Sequence, residues 1–226
     1  MELMLDSINA EEITNALEYY PIKGITSNPT IIKKEGKIDF FTHFKKIQEL
    51  LEDKASLHIQ TTQTTCDKIV EEAKYLTSRL GREVFIKIPV TKEGLKAIGI
   101  LSSEHYHITA TAIYSSIQGI LALLAGAEYL ALYYNRMENA GIDASAVIKE
   151  IKNAIVSNNS NAKILGASFK NTAQVVSAIS SGAHSVTIPY SVLEGFLANP
   201  LIETAETNFI KDWQSLYSDE TILDFN

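Results

Sequence analysis

The chain has 226 residues, of which 46% are apolar and 21% are charged, so it can bury a substantial hydrophobic core. Its net charge of −7 and pI near 5.3 exclude general binding to nucleic acids or to anionic membranes. A local basic site for a small phosphate is compatible with this net charge. Cys66 is the only cysteine, which excludes an internal disulfide and a cysteine-rich metal site.

The location in the cell is predicted from the same features. A single cysteine fits a reducing compartment, and Glu2 and Asp6 interrupt the apolar N-terminus, so it does not resemble a signal peptide. The longest apolar run, Ile117–Ala125, falls short of the roughly 20 residues that a membrane helix needs. We therefore expect a cytoplasmic protein that binds neither membranes nor nucleic acids.

Apolar, β-branched segments alternate with amphipathic segments along the whole chain at a spacing of roughly 25 residues. The predicted strands, in chain order, are Glu2–Asp6, Lys23–Ile25, Ser56–Gln60, Val84–Pro89, His107–Ile113, Glu128–Tyr134, Lys163–Ser168 and His184–Pro189. The predicted helices are Ala10–Tyr19, Phe40–Leu51, Cys66–Leu80, Lys92–Ser102, Ser115–Leu124, Ala144–Val156, Ala173–Ser180, Val192–Leu197 and Leu201–Trp213.

Strict alternation of strands and helices indicates a parallel sheet with helical crossovers, and eight such units fit a (β/α)8 barrel, a TIM barrel. A doubly wound open sheet is the structural alternative. Because no Pro-, Gly- or Ser-rich linker interrupts the chain, we predict one domain over residues 1–226. The helix at residues 201–213 lies beyond the eighth unit. We expect it to cap the barrel or to pack on a neighbouring subunit.

The fourth predicted strand contains a lysine in an otherwise apolar stretch, Val84–Thr91. If the strand is buried on both faces, the ammonium group of Lys87 loses its hydration, which lowers its pKa and favours the neutral, nucleophilic amine. Alternatively, Lys87 lies at a strand edge and faces solvent. A neutral amine can attack a ketone and form an iminium ion, which supports cleavage or formation of the adjacent carbon–carbon bond.

Polar residues share one face of several predicted strands, since residues two apart point to the same side. In the third strand His58 and Gln60 oppose Leu57 and Ile59, and in the seventh Gly166 and Ser168 are expected to oppose Leu165 and Ala167. The apolar face must meet the helices, so the polar face is predicted to point into the barrel. Six such residues near the carboxyl ends of strands are then expected to converge: Asp6, Gln60, Lys87, Thr111, Tyr133 and Ser168.

These residues suggest both catalysis and anion binding. Asp6 and Tyr133 can move protons next to Lys87. Arg136 follows the sixth strand, while Ser168 and Lys170 follow the seventh, and together they could hold a phosphate. The alternatives are polar residues satisfied by water in the barrel mouth and, for Arg136 and Lys170, solvated surface charges.

The chain resembles the small transaldolase-like class I aldolases, a family that includes fructose 6-phosphate aldolase and the short microbial transaldolases. The resemblance runs from end to end and is carried by these motifs: Met4-Leu5-Asp6, Gly24 to Ile32 with Thr26-Ser27-Asn28-Pro29 at its centre, Val84–Thr91 with Glu93-Gly94-Leu95, Thr111-Ala112-Ile113-Tyr114, Ala125–Tyr129, Asn135-Arg136, Gly166–Lys170, Ile188-Pro189 and Lys211-Asp212-Trp213.

The resemblance implies a (β/α)8 barrel with Schiff-base chemistry at Lys87 and without a cofactor. No metal site is expected, because the histidines lack close ligand spacing apart from His105 and His107 at a strand entrance. The resemblance implies that Asp6 and Asn28 contact the hydroxyls of a dihydroxyacetone unit and that Asp6 assists proton transfer. Thr26 lies in the same loop as Asn28 and is expected to help bind the substrate. The resemblance further implies that Gln60 and Thr111 hold a catalytic water. The acceptor phosphate is assigned by resemblance to Arg136 and Ser168, to which the residue pattern adds Lys170. The resemblance also implies a homo-oligomer, a pentamer or decamer, in which the C-terminal helix packs on a neighbour.

Two positions distinguish activities within the family. Where transaldolases carry glutamate and phenylalanine, this chain has Gln60 and Tyr133, the pair typical of fructose 6-phosphate aldolases. We therefore predict reversible cleavage of fructose 6-phosphate to dihydroxyacetone and glyceraldehyde 3-phosphate. The alternatives are transfer of the dihydroxyacetone unit between sugar phosphates, or a silent sugar-phosphate-binding barrel, which an intact Lys87 argues against. Tyr134 beside Tyr133 is bulky and is expected to influence the choice of acceptor.

Overall fold

A computed structural model describes residues 1–52 and 54–225. Within these ranges, eight parallel strands pair in chain order and the last pairs with the first, which closes a barrel. The strands are β1 Glu2–Leu5, β2 Ile22–Thr26, β3 Ser56–Gln60, β4 Phe85–Pro89, β5 Ile108–Ile113, β6 Tyr129–Tyr133, β7 Lys163–Ala167 and β8 Ser185–Ile188. The predicted (β/α)8 barrel is confirmed, and the open-sheet alternative is wrong.

Helices connect successive strands around the barrel. They are α1 Ala10–Tyr19, α2 Pro29–Glu35, α3 Phe40–Leu51, α4 Cys66–Leu80, α5 Lys92–Ser103, α6 Ser116–Leu124, α7 Tyr134–Asn139, α8 Ala144–Ser157, α9 Thr172–Ser181, α10 Tyr190–Glu194 and α11 Pro200–Tyr217, with a short 3-10 helix at Ile222–Asp224. The short helices α2 and α7 were not predicted, because each is separated from a strand by at most two residues and lies in a segment too short to show helical periodicity. In the described part of the chain, no helix is both long and apolar enough to cross a membrane.

The barrel has two hydrophobic layers. Alternate strand residues such as Ile59, Ile86 and Ile188 point outward and form one continuous core with the helices. A smaller interior cluster contains Met4, Tyr129, Ala131 and Leu165, with Phe85 packed against it. The predicted alternation therefore holds in β3, β4 and β6.

The alternation was predicted wrongly in β7 and at the end of β5. Leu165 belongs to the barrel interior, whereas a Cβ on Gly166 would lie 2.7 Å from the Phe169 ring and 3.5 Å from Val186 in the outer layer. The inward face of β7 is thus Leu165 and Ala167. In β5 the pairing shifts register between Ala110 and Ile113, and Ala112 adopts a φ of 58°, so this bulge turns Ile113 to the outer core.

The last α-helix, α11, differs from α1–α10 in its packing. It is described along its whole length and none of its residues is buried. Large apolar side chains such as Leu201, Phe209 and Leu216 are 71–77% exposed. The helix is longer than the predicted Leu201–Trp213, since Pro200 stands at its first turn and Asn199 caps it.

Candidate active site

Lys87 lies on the inward face of β4, between Gln60 of β3 and Thr109 of β5 in the strand register. Only 3% of the residue is exposed, and its Nζ donates a hydrogen bond to the carbonyl oxygen of Ser27 at 2.8 Å. Burial lowers the pKa of Lys87 from its ordinary value of 10.5, and the nearby Asp6 opposes this shift. Lys87 therefore faces the interior, not solvent at a strand edge.

Asp6 follows β1 and is tied to its neighbours on both sides. Its backbone N–H donates to the Ile188 carbonyl at 2.8 Å, and its Oδ1 accepts a hydrogen bond from Thr26 Oγ1 at 2.6 Å. Burial raises the pKa of Asp6, opposed by the charge of Lys87, the bond from Thr26 and the charge of Lys34. Burial thus favours the neutral forms of both Asp6 and Lys87, a setting in which a proton can pass between them and a ligand.

Thr26 is fully buried beneath Asp6. Besides bonding Asp6, its hydroxyl shares a 2.6 Å hydrogen bond with Thr187 of β8. The bond to Thr187 fixes the Thr26 hydroxyl, and this hydroxyl holds the Asp6 carboxyl group, so the geometry favours a positioning role for Thr26 over direct contact with a substrate.

The turn after β2 brings Ser27 and Asn28 to the same end of the barrel. Ser27 donates to the His58 carbonyl from its backbone N–H at 3.0 Å and from its hydroxyl at 3.1 Å, which fixes the carbonyl that receives Lys87. Asn28 caps α2, since its Oδ1 accepts from the N–H groups of Thr30 and Ile31. Its Nδ2 then remains the group that could donate to a ligand. Sequence reasoning missed Ser27, although it lies inside the Thr-Ser-Asn-Pro motif.

Gln60 and Thr111 line the interior on either side of Lys87. Gln60 Oε1 is buried and accepts no hydrogen bond from the described residues. Thr111 is fully buried, and its hydroxyl donates a long hydrogen bond of 3.4 Å to the Tyr133 hydroxyl. An unsatisfied buried acceptor is costly in a native fold, so Gln60 is a candidate to bind a polar ligand.

Tyr133 ends β6 and is half-buried at the mouth. Burial raises the pKa of its phenol, and the bond from Thr111 and the charge of Arg136 oppose the shift. The Arg136 guanidinium lies 4.6 Å from the centre of the Tyr133 ring. Tyr114, which the chemical reasoning from sequence did not single out, lies edge-on to the same ring at 5.6 Å and accepts a 3.3 Å hydrogen bond from Arg136 Nη1.

Besides Arg136, a second positively charged residue near the mouth, Lys170, follows β7. Ala167 pairs with Tyr133, and Ser168 then adopts a φ of 65°, so its side chain direction does not continue the strand alternation. Lys170 is exposed, and its backbone N–H donates to Gln174 Oε1 at 2.8 Å. Gln174 Nε2 in turn donates to Asn135 and Glu138 of α7, which ties the Lys170 loop to the helix that carries Arg136. This bridging glutamine gave no signal in the sequence.

Tyr134 does not enter the mouth. It begins α7, is 2% exposed, and its hydroxyl bonds Ser145 of α8 at 3.0 Å and Ser177 of α9 at 2.8 Å. The predicted extension of β6 to Tyr134 is therefore wrong, because the turn into α7 directs its ring into the outer layer.

The mouth therefore combines a buried amine, a buried carboxyl, an unsatisfied amide oxygen and a phenol beneath a guanidinium. An amine with a lowered pKa can attack a carbonyl, and the carboxyl and phenol can exchange protons with the resulting adduct. Among the described residues, no group of three or more His, Cys, Asp and Glu side chains could hold a metal ion.

Comparisons with known proteins agree with this geometry. Residues 3–224 match the model of the family described as Transaldolase/Fructose-6-phosphate aldolase. The chain is 48% identical over 222 residues to "Probable fructose-6-phosphate aldolase" of Streptococcus pneumoniae (strain ATCC 700669 / Spain 23F-1), covering 98% of this chain and 100% of the relative. The solved "Native KDPGal structure" resembles it in fold alone, with a TM-score of 0.55 and 14% identity over 82% of this chain and 80% of that chain.

Proposed function

Because the chain belongs to the transaldolase/fructose-6-phosphate aldolase family, we propose that it is a class I aldolase that cleaves fructose 6-phosphate reversibly. The products are dihydroxyacetone and glyceraldehyde 3-phosphate. The observation that carries the proposal is Lys87, a lysine 3% exposed on an apolar strand, with Asp6 beside it and one carbonyl acceptor at 2.8 Å. Burial of this kind favours a nucleophilic amine, so it supports an enzyme over a silent sugar-phosphate-binding barrel.

The proposed reaction begins when Lys87 Nζ attacks the ketone carbon of the substrate. Loss of one water gives an iminium ion at C2, which accepts the electron pair of the C3–C4 bond as that bond breaks. The proton of the neighbouring hydroxyl passes to Asp6, glyceraldehyde 3-phosphate leaves, and an enamine remains on Lys87. Protonation of the enamine carbon, with Tyr133 as the donor, and addition of water then release dihydroxyacetone and the free amine. The proton that Asp6 took up returns to the Tyr133 phenolate, which restores both groups.

The remaining residues are proposed to bind the substrate and the reacting water. Asn28 Nδ2 and Asp6 contact the hydroxyls of the dihydroxyacetone unit, with Thr26 holding Asp6. Gln60 Oε1 and the Thr111 hydroxyl orient the water that hydrolyses the imine. The acceptor phosphate binds at Arg136, Ser168 and Lys170, in the two segments that Gln174 joins.

A transaldolase is the second candidate, since the matching family includes both activities. It would move the dihydroxyacetone unit between sugar phosphates and would not release it. The phenol of Tyr133, half-buried at the end of β6 and bonded to Thr111, favours the aldolase, because a proton donor lets the enamine leave as dihydroxyacetone.

The deciding experiment supplies fructose 6-phosphate alone and follows release of glyceraldehyde 3-phosphate, then repeats the assay with erythrose 4-phosphate. Steady release without an acceptor is the expected result for the aldolase. Release only after the acceptor is added, with formation of sedoheptulose 7-phosphate, would identify a transaldolase and contradict the role given to Tyr133.

We also propose a cytoplasmic homo-oligomer, a pentamer or decamer, built from one barrel domain over residues 1–226. The support is α11, whose apolar side chains, Phe209 among them, are exposed although such residues are usually covered. Light scattering on the purified chain and on Phe209→Lys tests this. The wild type is expected to be oligomeric and the variant smaller, and a monomeric wild type would refute it.

A further inference from the structure

One aromatic side chain at the mouth has no role in the proposed reaction. Tyr114 follows the bulge of β5, where the left-handed Ala112 turns Ile113 into the outer core. Its backbone N–H is fixed by a 2.9 Å hydrogen bond to Gln118 Oε1 of α6. The bulge therefore places a half-buried tyrosine at the rim of the barrel, where strict alternation would not have directed it.

Tyr114 contacts two residues of the proposed site at once. Its ring packs edge-on against Tyr133, with 5.6 Å between ring centres and 77° between planes. Its hydroxyl accepts the 3.3 Å hydrogen bond from Arg136 Nη1, while the same guanidinium lies over the Tyr133 ring. The three side chains thus form one cluster, in which Tyr114 is the only member without an assigned task.

The guanidinium in this cluster is held but not neutralised. Arg136 is exposed and, among the residues described, makes no ion pair, so its charge is available to an anion. A free arginine side chain has several rotatable bonds, and fixing them when a ligand binds costs affinity. A hydrogen bond to Tyr114 that already restricts the side chain lowers that cost.

We propose that Tyr114 is a positioning and specificity-determining residue, which holds Arg136 over Tyr133 so that the enzyme prefers phosphorylated aldehydes. The proposal rests on the function proposed above. The hydroxyl of Tyr114 serves the binding of phosphate, whereas its ring supports the orientation of the Tyr133 phenol.

The test compares Tyr114→Phe with the wild type for dihydroxyacetone addition to glyceraldehyde 3-phosphate and to unphosphorylated glyceraldehyde. The ratio of kcat/KM for the two aldehydes is expected to fall about 2- to 10-fold, through KM for the phosphorylated aldehyde, as expected for one side chain that must now be ordered on binding. Tyr75→Phe is the matched control, since it removes an equivalent hydrogen bond from Arg79 on the outer helix α4.

A second variant, Tyr114→Leu, removes the ring as well and is expected to lower kcat with both aldehydes. A purely structural role for Tyr114 would change thermal stability without changing the ratio of kcat/KM, and that result would overturn the proposal.

Calorimetric titration with inorganic phosphate separates this proposal from the proposed function. The Kd for phosphate is expected to rise about 2- to 10-fold in Tyr114→Phe, whether or not the chain turns over sugars. An equal Kd in variant and wild type contradicts the role of Tyr114. If the variant binds phosphate with a higher Kd than the wild type and the wild type has no aldolase activity, the role of Tyr114 is supported and only the proposed function is contradicted.

Discussion

Each end of the barrel contains a lysine, a carboxyl group and a tyrosine, but the hydrogen-bond partners of these groups differ between the two ends. At the amino-terminal end, the base, Lys163 Nζ lies 2.5 Å from Glu2, and Glu2 also accepts a 2.9 Å hydrogen bond from the Tyr129 hydroxyl. At the carboxyl end, the mouth, Lys87 is buried with a carbonyl as its hydrogen-bond acceptor, while Asp6 and Tyr133 are held by threonine hydroxyls.

The pKa shifts follow from this difference. The hydrogen bond to Glu2 raises the pKa of Lys163, whereas burial lowers the pKa of Lys87. At the base, burial and Glu2 together raise the pKa of Tyr129 to about 12. A lysine paired with a carboxylate at a partly exposed site stays charged and unreactive, while a lysine without such a bond in an apolar wall is a nucleophile. The same residue types therefore stabilise the base and are available for chemistry at the mouth.

The largest effect is expected from replacing the mouth lysine. Lys87→Met should lower kcat for fructose 6-phosphate cleavage by at least about 10³-fold, because the covalent step is lost while an apolar chain fills the space. Lys163→Met at the base is the control and should retain turnover. Steady-state kinetics on both variants measure this, and a Lys87→Met enzyme as active as the wild type would contradict it.

The carboxyl groups give the next comparison. Asp6→Asn should lower kcat by about 10²- to 10⁴-fold, the usual contribution of a positioned acid–base group. Imine formation requires the neutral amine, so its rate should rise with pH through the pKa of Lys87, below 10.5. Because Asp6 opposes the lowering of that pKa, the midpoint should move to lower pH in Asp6→Asn. Glu2→Gln should leave the midpoint of the pH–rate profile unchanged. A shifted midpoint in Glu2→Gln would contradict the conclusion that Asp6 is the carboxyl group acting on Lys87.

The tyrosines at the two ends, Tyr133 and Tyr129, are also expected to respond differently to substitution. Tyr133→Phe should reduce release of dihydroxyacetone by about 10- to 10³-fold and raise the ratio of transfer to cleavage, because the enamine then waits for an aldehyde. Tyr129→Phe should leave this ratio unchanged. Product analysis with and without erythrose 4-phosphate gives both values, and an unchanged ratio in Tyr133→Phe would refute its role in proton transfer.

The smallest effect on catalysis is expected from a substitution of Thr109, a hydrogen-bond partner of His58 in the barrel interior. His58 is fully buried, with 2.8 Å hydrogen bonds that join its two ring nitrogens to the hydroxyls of Thr109 and Ser56, and a stacked ring contact to Phe85 at 4.5 Å. Thr109→Val leaves one imidazole nitrogen unpaired and should lower the free energy of unfolding by about 1–3 kcal/mol, with little change in kcat. Urea denaturation measures the first quantity. A large loss of kcat in a folded variant would place His58 in the reaction.

The sequence was sufficient to predict the barrel and the lysine strand, since alternation and the isolated Lys87 depend on local pattern alone. The family resemblance is also confirmed. The roles of the site residues remain predictions. The bulge at Ala112 and the inward face of β7 could not be read from alternation, because Leu165 and Gly166 are both compatible with either face. Side-chain bridges such as Gln174 depend on three segments meeting and carry no local signal.

The central claim, that Lys87 forms an imine, is tested most directly by borohydride trapping with dihydroxyacetone followed by mass spectrometry of the digested protein. The expected result is a peptide containing Lys87 that has gained the mass of dihydroxyacetone less one oxygen atom, in the wild type and in Lys163→Met but not in Lys87→Met. Absence of the adduct from the wild type, or its appearance on a different lysine, would contradict the claim.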